Sequence, residues 1–180
     1  MEIFINLLLL GIIYVFYFYR KWKKKSKFQF FLYSLMYLYI SLVLYVTIMP
    51  FPIPFNSINN LLYHSINLIP FRDLIMHYDG ALREVVLNVI MMVPFGFLFP
   101  LIKQRGFFIT VFTTFFFSLM IETSQLLGVW WGSLYSRSFD VTDLITNTFG
   151  GIIGYFIFLL TKRLIYKIFP FYLNNSSIKI

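Results

Sequence analysis

Five apolar runs, residues 3–19, 28–49, 85–102, 107–127 and 141–161, dominate this 180-residue chain. Each is close to the ~20 residues that an α-helix needs to cross the hydrocarbon core of a bilayer. No water is available there to satisfy backbone N–H and C=O groups, so such runs are expected to be helical. The reading is an all-α integral membrane protein with about five transmembrane helices, a multi-pass protein of the cell membrane. Charge sorts with the runs. The connections 20–27 and 103–105 and the tail 162–180 hold twelve of the fifteen Lys and Arg residues. All seven acids fall on the other side, accompanied there by Arg72, Arg83 and Arg137. Basic connections stay in the cytoplasm, which puts the amino terminus outside and the carboxyl terminus inside. Polar chemistry is then expected on the outer face.

Composition supports the same class, with 59% hydrophobic and only 12% charged residues against the roughly half and one quarter of soluble domains. The net charge of +8 is explained by the anchoring connections, so nucleic acid is not an expected partner; the lipid bilayer is. The basic run 20–27 also has the chemistry to attract anionic lipid, although setting topology accounts for it. There is no cysteine, which excludes disulfides, thiolate nucleophiles and cysteine-ligated metals. Met1-Glu2 supplies no basic start for a signal peptide, so the first run is expected to remain as a helix. A single alanine among abundant Phe, Ile, Lys, Asn and Tyr fits an AT-rich bacterial genome.

Three regions follow. Residues 1–54 form two anchoring helices around the basic loop, 55–161 a membrane domain, and 162–180 a basic cytoplasmic tail. Pro50, Pro52 and Pro54 cannot continue a helix and open an outer segment, 55–84, that is interfacial or re-entrant. The last three helices carry polar residues. Thr110, Thr114, Ser118, Glu122 and Gln125 fall within about one third of the fourth helix's circumference. Asp140, Asp143, Asn147, Gly150 and Gly154 share one stripe of the fifth, and such a stripe faces protein or water rather than lipid. Pro94, Gly96 and Pro100 are expected to kink the third helix. Glu84 and Asn88 on the third helix match Asp143 and Asn147 on the fifth in spacing, which would make the two a pseudo-symmetric pair across the fourth.

Some of these residues have ordinary structural explanations. Glu84 and Asp140 near helix amino termini complement the dipole or cap it, at ~1 kcal/mol each. Glu122 stands near a carboxyl end, where the dipole disfavours it. Asp143 and Asn147 lie deeper, where a central charge costs ~2.5–3.5 kcal/mol on insertion scales. Together these groups point to an outward polar cavity, with Arg83, Glu84, Asn88, Glu122, Gln125, Arg137, Asp140, Asp143 and Asn147 as candidate binding residues. Arginine suits phosphate or carboxylate, and clustered carboxylates suit a hard cation. Carboxylates balanced by arginine need no metal, so none is assigned and the cofactor stays unknown. His64 and His77 are read as surface residues. HExxH, GxSxG and phosphate-cradling glycine motifs are absent.

The order of motifs in the membrane domain resembles the VanZ-like membrane proteins. It begins with Asn67-Leu68-Ile69-Pro70-Phe71, then Asn88 followed by Val93-Pro94-Phe95-Gly96-Phe97, then Ile121-Glu122-x-x-Gln125. It ends with Arg137-x-Phe139-Asp140-Val141-x-Asp143-Leu144-Ile145-x-Asn147-x-x-Gly150-x-x-x-Gly154. The resemblance implies a protein of the bacterial envelope, in a family named for reduced susceptibility to the glycopeptide teicoplanin. It names a phenotype and no reaction. Three functions stay open: an envelope protein that lowers glycopeptide action through the polar cavity, with glycopeptide or lipid-linked cell-wall precursor as ligand; a membrane enzyme acting on a lipid-linked phosphate or precursor, with Glu122, Asp140 and Asp143 as acid/base groups or metal ligands and Arg137 as phosphate clamp; and a small ion-coupled transporter working as an oligomer.

Overall fold

The structure, a computed structural model, describes residues 2–51, 65–131 and 138–168. Arg137 and His64 lie outside the described residues. Among the described residues, five helices are long and apolar enough to cross a membrane: α1 (Glu2–Trp22), α2 (Lys27–Thr47), α3 (Ala81–Lys103), α4 (Phe107–Trp130) and α5 (Val141–Ile168). The short strands β1 (Ile66–Asn67) and β2 (Phe139–Asp140) pair in parallel, and a helical turn, Arg72–Ile75, leads towards α3.

Local chemistry sets the boundaries. Ser26 caps α2, its Oγ accepting from the Gln29 N–H at 3.3 Å, as short hydroxyl side chains do at N-caps. Gly80, at φ 90°, supplies the left-handed residue ahead of α3, a conformation that costs glycine little. Helix α3 runs unbroken through Pro94 and Pro100, although each proline removes a backbone donor. Helix α5 continues to Ile168, beyond the apolar run ending at 161, because Ile165 and Tyr166 pack on the cluster of Leu32, Leu98, Leu101, Tyr155 and Phe158. A π-helical turn, Tyr14–Tyr19, interrupts α1. Just before it the Leu10 carbonyl accepts from the Tyr37 hydroxyl at 2.7 Å, the kind of side-chain insertion that perturbs a helical ladder.

Helix α5 is central, packed mainly against α3 and then α4, while α2 lies on α3 and α1 on α2. Thus α3 and α5 touch directly instead of flanking α4. Glycine makes that approach. A methyl on Gly150 would stand 2.2 Å from the Val89 carbonyl oxygen, on Gly154 2.1 Å from that of Val93, and on Gly96 2.0 Å from that of Gly151. Small residues at such a seam gain dispersion contacts that lipid cannot supply. A second apolar cluster, Val43, Met92, Phe95 and Ile121, ties α2 and α4 to α3. Large side chains such as Phe108 and Leu160, 83% and 84% exposed, point away from the bundle. Exposed apolar surface of this extent marks a membrane-facing protein.

Candidate functional site

The polar residues gather at the acidic end of α3, α4 and α5, where the 66–75 segment docks on the start of α5. Asp140 organises the joint. Its Oδ1 accepts from the Thr142 N–H at 2.6 Å, capping α5, and its Oδ2 accepts from Asn67 Nδ2 at 2.9 Å. Its own backbone N–H donates to Glu122 Oε2 at 3.0 Å. The parallel bridge Ile66 to Phe139 and Asn67 to Asp140 holds the same contact through the backbone. Asn67 also accepts from the Ile69 N–H at 3.2 Å, and the Phe71 N–H donates to Thr142 Oγ1 at 3.0 Å. Phe71 sits at φ 56°. That conformation costs a bulky residue on the order of 1–3 kcal/mol and persists where neighbours over-determine it; the Thr142 bond is one such restraint.

Deeper along α5 the stripe continues as a ladder. Asp143 Oδ1 accepts from Asn88 Nδ2 at 2.6 Å, and Asn147 Nδ2 donates to Ser118 Oγ at 2.9 Å. Below these, Gly151 lies against Thr114. The stripe read on α4 is buried as a unit: Thr110, Thr114, Ser118, Glu122 and Gln125 are all 5% exposed or less. Gln125 Nε2 donates to the Thr47 carbonyl at 3.0 Å, fastening the end of α2 to α4. Asn147 is 1% exposed, and its Oδ1 has no hydrogen-bond partner among the described residues.

Two expectations about charge change in detail. Asp143 occupies the first turn of α5, where the helix dipole favours an anion, so its position carries less of a penalty than mid-helix depth implied. Glu122 lies more than two turns before the end of α4 at Trp130, beyond the last turn in which a dipole acts. The hydrogen bond from the Asp140 amide is a local stabiliser of that carboxylate.

In front of the ladder lies a cleft of about 20 Å³, lined by Phe71, Asp73, Leu74, Ala81, Glu84, Val85, Asp140, Thr142 and Asp143. Of the candidate residues, Glu84, Asp140 and Asp143 reach this cleft, and Asn88 meets it through Asp143. Glu122, Gln125 and Asn147 are not in its wall. Arg83 is exposed at the start of α3. Asp73, Asn67, Thr142 and Ser118 join the arrangement although none was among the candidates. Asn67 sat in the first motif and Ser118 in the α4 stripe, so both carried a signal. Asp73 and Thr142 showed none beyond their residue types. Among the described residues no three acids or histidines converge closely enough to hold a metal ion.

Five membrane-length apolar helices among the described residues, three of them enclosing a buried polar ladder, define a multi-pass helical membrane protein. More particularly, the chain belongs to the VanZ/LLP1 family, whose model matches residues 36–163, from the middle of α2 through most of α5. It is 32% identical over 116 residues to "Protein VanZ" of Enterococcus faecium, an alignment covering 63% of this chain and 65% of that relative. The chain thus spans just under two thirds of the relative's length. No solved structure matches it at a significant level.

Proposed function

We propose that this protein acts at the outer face of the cell membrane to lower susceptibility to glycopeptides, teicoplanin in particular, and that the acidic cleft is the part that meets its ligand. The observation carrying this reading is a division of labour within the polar layer. Glu122, Asn147, Ser118 and Asn88 are turned into the protein and hold α3, α4 and α5 in register. Asp73, Glu84, Asp140 and Asp143 line the cleft. A cleft of about 20 Å³ has room for one small group, about the size of a water molecule, and its carboxylates select a cation. The ligand is then a larger molecule at the membrane surface that offers one positively charged group to the cleft while its body stays outside. Teicoplanin's lipid tail places it at that surface. Family membership and the relative's resemblance support the phenotype.

An enzyme working on lipid-linked precursors is the second reading. Glu122 lends it less support, since at 1% exposure this side chain accepts from the Asp140 amide. Overproduction in a susceptible Gram-positive host separates the two. The binding reading expects a larger shift for teicoplanin than for vancomycin, because only the lipidated drug is held at the surface. Equal shifts would transfer support to precursor chemistry, since both drugs share the peptide target. No shift from membrane-inserted protein would remove the resistance reading.

A further inference from the structure

The family match begins at residue 36, leaving α1, the basic loop and the start of α2 outside it, and these elements build a feature of their own. Helices α1 and α2 are joined by the Tyr37 bond to Leu10, by Tyr14 Oη and Ser34 Oγ at 2.8 Å, and by aromatic contacts of Trp22 with Tyr33 and Tyr37. Beside these contacts runs an open groove of about 520 Å³, walled chiefly by Leu7, Leu10, Gly11, Phe31, Leu35 and Leu38. Ligand sites commonly measure about 300–1,000 Å³ and are mostly apolar. Gly11 keeps the groove open, for nothing stands within 4 Å of where its Cβ would be.

The groove has a direction. On α2 it extends from Phe31 to Ser41, roughly 6 to 21 Å along the axis from Lys27 at 1.5 Å per residue. One leaflet of the hydrocarbon core is about 15 Å deep, so the groove starts about 6 Å inside the leaflet next to the basic loop and ends about 6 Å past its midplane. That loop presents Arg20, Lys21, Lys23, Lys24, Lys25 and Lys27, all exposed. Arg20, Lys21 and Lys25 lie over the rings of Phe16, Tyr17 and Tyr33 at 5.5, 5.6 and 5.0 Å. All seven acids belong to the opposite end of the helices, so the chain supplies no side-chain counter-charge here. We propose that an anionic phospholipid of this leaflet lays an acyl chain in the α1/α2 groove, with its phosphate on Lys23, Lys24 and Lys27. The apolar slot, its length of about 15 Å along α2 and the charge about one turn beyond its near end fit that occupant.

Purified full-length protein, delipidated and titrated with phosphatidylglycerol or phosphatidylcholine, tests this by native mass spectrometry. Retention should favour phosphatidylglycerol by roughly tenfold or more, given about 1 kcal/mol for each cation near an anionic surface. The triple change Lys23→Gln, Lys24→Gln, Lys27→Gln should abolish that preference. Gly11→Phe or, from the other wall, Leu38→Trp should reduce retention of both lipids with helicity and elution volume unchanged. Equal retention of the two lipids by the native protein would overturn the proposal. So would undiminished binding by the groove-filling variants. Disulfide-linked dimers of Gly11→Cys in native membranes would also overturn it, by assigning the groove to a second copy.

Discussion

Replacing Gly154 with alanine tests whether the α3/α5 seam holds the bundle. The added methyl would stand 2.1 Å from the Val93 carbonyl oxygen and 2.9 Å from both Gly96 Cα and the Phe97 nitrogen. All three are backbone atoms, so no rotamer change relieves the contact. Carbon to carbonyl oxygen approaches in proteins stop at about 3.3 Å, which requires the helices to part locally by about 1 Å. Overpacking of this kind costs ~1–3 kcal/mol. Alanine also gains ~1 kcal/mol of helix propensity over glycine, which would mask part of the loss. Gly11→Ala provides the reference: the same exchange inside a helix, with nothing within 4 Å of the new methyl. The difference between the two variants isolates the contact, and Gly154→Ala should be less stable than Gly11→Ala by ~1–3 kcal/mol. Reversible denaturation in bicelles, followed by circular dichroism, measures it. Coincident transitions for the two variants would refute the close backbone approach.

Two more outcomes follow from the same geometry. Asn67→Ala removes the bonds to Asp140 and to the Ile69 amide, so amides 66–71 should exchange faster by the equivalent of ~1–2 kcal/mol, read by hydrogen exchange mass spectrometry, while α3 to α5 stay protected. Because the chain lacks cysteine, a single introduced one reports its side: Tyr78→Cys should react with an impermeant thiol reagent in intact cells and Lys24→Cys only after permeabilisation, and the reverse pattern would invert the topology.

The helices and the polar faces of α4 and α5 were legible in the sequence because both rest on local periodicity. Apolar length marked each span, and the spacing of Thr110 to Gln125 and of Asp140 to Gly154 put each set on one side of its helix, where burial or hydrogen bonding followed. What was not legible depends on contacts between distant segments. Gly96 read as a kink element next to Pro94, yet its lack of a side chain admits Gly151. Asn67 carried no sign that it would reach Asp140, seventy-three positions away. Glu122 stood out as an isolated acid in an apolar helix, but its bond to the Asp140 amide, eighteen positions on, had no local signal. The cleft walls likewise mix the expected Glu84, Asp140 and Asp143 with Asp73, which only the turn at Arg72–Ile75 brings alongside.

The central claim is that the carboxylates facing the cleft, and not merely the helices beneath them, produce the phenotype. Its most direct measurement is the teicoplanin inhibitory concentration of a susceptible host producing the native protein, Glu84→Gln, or the double variant Asp73→Asn, Asp143→Asn. These changes keep side-chain volume and, through the amide oxygen at position 143, an acceptor for Asn88, and they leave the Asp140 cap intact. With equal amounts of each protein in the membrane, the account predicts protection by the native chain, a reduced effect for the single variant and none for the double. Full protection by the double variant would contradict it.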